Sequence, residues 1–483
     1  MPVRGVRRDV TPAEHARRYH VRTMYKRASA LLLALAVLAV PVYAKRRAIG
    51  PRDVVSSPYL DAAKQAANWL ASLERRSADG ISWPRSDKNS FAPTGLSHGA
   101  AGIGAFHLRL YQVTREQKYL DLARGAASFV AAEYRRGREG GYDWQSGAVG
   151  GGELFVLMYR ETGDARYLDD ARMTAEILLR QAIRDANGTH WQMAGTSNVY
   201  TGIAHGAAGA GVFFLHLYEI TGDAQYLDVA RDVYRWMRPY TIPLGDGIGW
   251  KRLTVDETAY HGFCGGSSGI LYFLDELVRA TNDEQYRADF VATANGLAAS
   301  ADPTVNGVGW YYTSAKNGNR GVIYCHGTSC ASSAVAHAFT VTGDSRYADL
   351  ARAAMGHLES IAVTAQGDGP LWPHVERSGL IESGFQTGAA SVGYAFLRVH
   401  AALGDSRYLD EAIRAGEHLI RRADRPAPGQ LRWVNYIQGG DPADVAYDTG
   451  WYTGSAGIGL FLLDLHDRVT GRPPLDRFSP LHP

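Results

Sequence analysis

Cys264 and the adjacent pair Cys325-His326 are the side chains of this 483-residue chain best suited to chemistry, and each sits inside a recurring small-residue knot. With the inner Gly of each knot as anchor, Cys264 lies two residues before Gly266 and Cys325 two before Gly327. Equivalent positions in consecutive repeats bring both sulfurs to one rim. Two thiolates and an imidazole are a natural zinc set, with a fourth position left open for catalysis. Sulfur donors argue against magnesium or calcium. Cys330 stands one turn into its helix, where other repeats carry Gly, Ala or Ser, and packing is its expected role. A Cys325–Cys330 disulfide is the alternative, and it would dismantle the site. His205, in GIAHGAAG, is a candidate acid/base, and Asp143, four residues before Gly147, shares its rim. The plainer readings are a structural histidine at a helix start and a loop or helix-cap carboxylate.

The knots that must position these groups occur seven times, anchored on Gly99, Gly147, Gly206, Gly266, Gly327, Gly388 and Gly454. Successive anchors are 48, 59, 60, 61, 61 and 66 residues apart, so the chain is a repeat protein. Between knots runs a Tyr-Leu-Asp type motif, as at Tyr119, Tyr167 and Tyr226, with apolar residues at helical spacing behind it. Thr-Gly-Asp precedes several copies; the Gly suits the end of one helix and the Asp the N-cap of the next. Segments opened by a knot, such as 203–217, are small at the start and apolar nearly all round, which marks a helix buried on every side. The pattern predicts an all-α fold, a double-layered α/α toroid of seven helical-hairpin repeats with the knots at one end of the inner ring. Trp83, Trp191, Trp250, Trp310, Trp372 and Trp433 recur ahead of the anchors. They read as plugs bracing each connection, with a stacking rim for a peptide or sugar as the other reading.

Residues 1–44 hold eight Lys/Arg against two Asp/Glu, leaving 43 against 47 in the rest, so nothing suggests a nucleic-acid surface. The apolar run 30–44 is short for a membrane span and ends in Val42-Tyr43-Ala44, a small-x-small cleavage pattern. The expectation is a signal peptide over 1–44 and export to a periplasmic or secreted location, with residues 45–483 as one domain. An uncleaved membrane anchor is the alternative. Three cysteines build no disulfide framework.

At these residues the chain resembles the lanthionine synthetase C-like (LanC-like) cyclases. Phe263-Cys264-Gly265-Gly266 matches their W-C-Y-G motif, Cys325-His326-Gly327 their C-H-G motif, and His205 to Gly209 their H-G-x-x-G histidine. Asp143 falls on the aspartate of their Y-D-x-x-x-G-x-x-G stretch, and the likeness runs from about residue 57 to 470. The resemblance implies a catalytic zinc on Cys264, Cys325 and His326, and addition of a thiol to a dehydroamino acid in a peptide or small-thiol substrate. His205 would protonate the enolate carbon, with Asp143 beside it. Two positions depart from the pattern: Gly265 replaces a Tyr, and Tyr260 stands where lanthipeptide cyclases tend to carry Arg. A carbohydrate-active toroid is a second reading; it needs paired carboxylates, with Asp143, Glu153, Glu382 and Asp448 as candidates. A non-catalytic zinc-containing peptide-binding protein is the third.

Overall fold

The computed structural model describes residues 55–472 apart from 194, 365–368, 442 and 444. The expected signal or anchor over 1–44 lies outside the described residues.

Seven inner helices, Ala100–Thr114, Ala148–Thr162, Ala207–Thr221, Ser267–Thr281, Thr328–Thr342, Ala389–Leu403 and Ser455–Val469, are buried along most of their length. Seven amphipathic outer helices, Pro58–Leu73, Gln117–Arg135, Ala165–Gln181, Ala224–Met237, Glu284–Ser300, Ser345–Ser360 and Ser406–Arg422, surround them. Six inner helices pack on the outer helix that follows in the chain, and the seventh packs on Pro58–Leu73, the first. Ser57 Oγ lies 2.9 Å from His466 Nδ1 at that closure. The fold is the double-layered α/α toroid. Among the described residues the strands form two-stranded sheets in the connections: five hairpins, and one pairing of Ile381–Glu382 with Tyr436–Gln438 across two connections.

The helical hairpins turn where Thr-Gly-Asp, or Leu403-Gly404-Asp405 in its place, directs. Gly163, Gly222, Gly343 and Gly404 end inner helices in the left-handed region, and Asp164, Asp223, Asp344 and Asp405 cap the helices that follow.

The knots are held to one another through the backbone. Ser97 N donates to Gln145 O at 2.9 Å, Gln145 N to Ala204 O at 3.2 Å, and Ala204 N to Cys264 O at 2.8 Å. Cys264 N then donates to Cys325 O at 3.3 Å, Cys325 N to Gln386 O at 3.1 Å, Gln386 N to Tyr452 O at 3.1 Å, and Tyr452 N back to Ser97 O at 2.8 Å. These seven hydrogen bonds run in one direction and close a ring. Small residues are required because the chains pass so near: a Cβ on Gly202 would lie 2.5 Å from the Gly265 Cα, and one on Gly262 would lie 2.4 Å from Cys325 O. The repeat register thus becomes a physical ring with Cys264 and Cys325 as adjacent members.

A second set of bonds ties five of the knots to the next connection. Thr201 N donates to Arg252 O, His261 N to Tyr312 O, Val322 N to His374 O, Ser383 N to Asn435 O and Thr449 N to Arg85 O, at 3.0 to 3.2 Å. Every acceptor is two residues after a repeat tryptophan. Those tryptophans are plugs rather than a rim: all six are at most 2 % exposed. The indole of Trp83, Trp191, Trp310, Trp372 and Trp433 donates to a carbonyl of the preceding outer helix, and that of Trp250 to Thr293 Oγ1.

His107 sits in an aromatic shell of Trp83, Phe106 and Tyr119, with neither ring nitrogen hydrogen-bonded. Burial pushes its pKa down to about 3, so it folds neutral. The unfolded chain protonates it near its ordinary 6.5. Its share of stability is therefore whole above that value and is lost as pH falls towards the folded value. At pH 4 the loss is about 3 kcal/mol. Urea unfolding at pH 7 and pH 4 should show a His107→Phe variant losing about that much less than the wild type on acidification.

Candidate active site at the ring mouth

Cys264 and Cys325 have Cα atoms 5.3 Å apart, and their sulfurs are joined as a disulfide. The bond considered between Cys325 and Cys330 is not the one formed. Cys330 is the free cysteine, buried, its Sγ donating to Gly327 O at 3.0 Å. Burial pushes that thiol up to about 11, which leaves it a packing residue.

His326 completes the cluster. Its Nε2 lies 3.1 Å from Cys325 Sγ and its Nδ1 lies 3.0 Å from Tyr260 Oη. In the tautomer that leaves Nε2 its lone pair, Nδ1–H donates to the tyrosine, the outer partner that metal-binding imidazoles use to fix their orientation. Burial, then the charges of His374 and Arg252, hold His326 down at about 3, so it is neutral. Tyr452 Oη donates to Cys325 Sγ at 3.0 Å, while Gln145 Nε2 and Gln386 Oε1 each stand 3.9 Å from Cys264 Sγ. The donor set fits zinc in kind and position once the sulfurs are thiolates. With the sulfurs joined, the described residues contain no group of three or more His, Cys, Asp or Glu side chains that could hold a metal. A metal on this pair would require the disulfide to open.

His205 follows Ala204 of the ring, its side chain 35 % exposed at the mouth. Its Nδ1 is 3.6 Å from Asp143 Oδ1, beyond a hydrogen bond. Asp143 instead accepts from Ser146 N at 2.8 Å within the turn before the helix, whose N-cap, Gly147, takes no side-chain cap. Tyr142 Oη donates to His205 O, and the Tyr200 ring lies 5.8 Å from the imidazole.

The residues two after five of the tryptophans, Arg85, Arg252, Tyr312, His374 and Asn435, add mouth side chains that motif reading missed. Tyr312 packs on His326 with ring centroids 5.3 Å apart. His374 Nδ1 is bonded to Glu382, a second histidine–carboxylate pair. Arg85 and Asn435 line a cleft of about 490 Å³ together with His98, Glu382, Asp448 and Tyr452. The signal was available: the tryptophan register marks these positions as surely as the glycine register marks the cysteines. Of the carboxylates considered for sugar chemistry, Glu382 and Asp448 share this cleft. Glu153 does not reach the mouth; it is buried among inner helices, 2.8 Å from His216 Nδ1.

The profile of the lanthionine synthetase C-like protein family matches residues 53–138, 131–299 and 241–472. The chain belongs to this family. In this LanC-like protein the positions that carried the resemblance, Asp143, His205, Cys264, Cys325 and His326, all gather at the mouth of the ring. No curated protein matches the chain. Among solved structures, a sugar epimerase from a ruminal bacterium is 13% identical with a TM-score of 0.51, covering 84% of this chain and 97% of its own. A D-mannose isomerase is 12% identical with a TM-score of 0.51, covering 84% and 98%. A family 76 glycoside hydrolase from a bovine Bacteroides thetaiotaomicron strain is 14% identical with a TM-score of 0.48, covering 85% and 78%. For the epimerase and the isomerase, at these identities, the likeness is one of fold.

Proposed function

We propose that this LanC-like protein, with Cys264 and Cys325 reduced, holds zinc through those thiolates and His326 and adds a thiol to a dehydroamino acid. The observation that carries the reading is the convergence of both sulfurs and the neutral His326 Nε2 on one rim with His205. Zinc held there would lower the pKa of an incoming thiol, so that it attacks as thiolate near neutral pH. The chain's own groups then supply positioning and a proton. Tyr452 Oη and the two glutamines stand around the sulfurs, and Tyr452 also lines the cleft of Arg85, His98, Glu382 and Asp448, which would seat the peptide or small-thiol substrate. His205 donates the proton that the α-carbon needs after attack. Export through the N-terminal segment would place the cysteine pair where disulfides persist, so metal loading would depend on reduction.

The test is incubation of reduced, zinc-supplied protein with a dehydroalanine peptide and a small thiol. The expected product has the summed mass of both, formed faster than in protein-free solution. Product at the uncatalysed rate overturns the reading.

One observation favours a second reading, a carbohydrate-active enzyme: Glu382 and Asp448 line one cleft, and burial, with Glu382 among the nearby charges, raises the Asp448 pKa. Sugar turnover lost in Glu382→Gln and Asp448→Asn but indifferent to zinc would establish it.

A further inference from the structure

Gly265 and Tyr260 are where this chain departs from the cyclase pattern, and one side chain occupies the space between them. A Cβ on Gly265 would lie 2.7 Å from Arg252 Cγ and 2.9 Å from its Cδ. The stem of Arg252 therefore lies directly over the residue that follows Cys264. Its guanidinium carbon is 5.3 Å from the centre of the Tyr260 ring and 5.9 Å from that of Tyr200. Tyr260 bonds His326, and Tyr200 packs on His205. Arg252 so bridges the metal-ligand side of the mouth and the acid/base side. Its backbone is tied down, since Arg252 O accepts from Thr201 N at 3.0 Å. Among the described residues no carboxylate pairs with its guanidinium, which is half-buried against the two tyrosine rings.

We propose that Arg252 binds the carbonyl oxygen of the dehydroamino acid and stabilises the enolate formed there. The inference rests on the thiol-addition reading. In that step the thiolate sulfur forms a bond to the β-carbon, the π pair of the carbon–carbon double bond shifts to join the α-carbon and the carbonyl carbon, and the carbonyl π pair moves onto its oxygen as enolate. The α-carbon then takes a proton from His205, and the thiol's own proton restores that acid through solvent. Atoms and charge balance without an oxidant. A fixed guanidinium aimed where negative charge develops accelerates such a step more than it aids binding of the neutral acceptor. Arg252, reaching in from a different connection, supplies a cation beside Tyr260, and the missing side chain at Gly265 is what makes room for it. A Gly there is required by this neighbour.

The probe is 3-mercaptopropionate, whose sulfur, two carbons and carboxylate reproduce the skeleton of the thiol–enolate adduct, compared with uncharged 1-propanethiol. Calorimetry on reduced, zinc-supplied wild type should show the carboxylate thiol bound roughly 10- to 100-fold more tightly, as a charge-assisted hydrogen bond allows. Arg252→Gln should bring that ratio to near one, Arg252→Lys should restore part of it, and Gly265→Ala should lower it by displacing the stem with the guanidinium still present. Thiol addition should fall in kcat rather than rise in KM, with zinc content and melting temperature unchanged. A wild type that takes up no zinc and binds neither thiol overturns the thiol-addition reading and this inference with it. A wild type that binds both, beside an Arg252→Gln variant with an unaltered ratio, overturns the role of Arg252 alone.

Discussion

Cys325→Ser is expected to weaken zinc binding by more than about 100-fold in reduced protein, beyond what loss of an outer-sphere partner costs, and to bring thiol addition to background. Serine keeps the size of the side chain but offers no thiolate, and Cys325 is the sulfur to which both His326 and Tyr452 point. The backbone bonds of the knot ring are made by Cys325 N and O and do not depend on the side chain, so the fold should persist. Cys330→Ser is the matched control. It removes a thiol from the same helix start, yet zinc uptake and turnover should be unchanged, since that sulfur is buried and bonded to Gly327 O. Zinc titration against a chromophoric chelator, with circular dichroism on each variant, reads both effects.

His205→Ala is expected to lower turnover by roughly 10²- to 10⁴-fold, the range for a positioned proton donor, while zinc stoichiometry stays at the wild-type value. The two readouts separate a catalytic histidine from a structural one. A structural role would lower the melting temperature and leave the turnover of the folded fraction intact. Asp143→Asn should cost much less, because the 3.6 Å gap to His205 Nδ1 is wider than a hydrogen bond and the carboxylate is engaged by Ser146 N. Steady-state rates with one dehydroalanine peptide, at fixed zinc and reductant, measure both.

The toroid was legible because its repeat is written twice, once in glycines and once in tryptophans. Aligning the inner glycines was enough to make Cys264 and Cys325 neighbours, and the ring of seven backbone bonds is the physical form of that alignment. The closure of the two sulfurs on each other was not legible. Adjacency in the ring makes a disulfide and a metal site equally available, and spacing does not distinguish them. Arg252, Tyr312 and His374 were missed for a different reason. Each lies in a connection between a tryptophan and the next knot, where the glycine register assigns no position, and reaches the mouth through its side chain. Gly265 and Tyr260 therefore looked like losses, whereas Tyr260 bonds His326 and Gly265 admits Arg252.

The central claim is that the Cys264–Cys325 pair is a zinc site when open. Metal analysis of the purified chain before and after mild reduction in the presence of zinc, with excess metal removed by gel filtration, tests it most directly. Close to one zinc per chain is expected after reduction, far less with the disulfide closed, and none retained by reduced Cys264→Ala. Reduced wild-type protein that retains no more zinc than Cys264→Ala would contradict it.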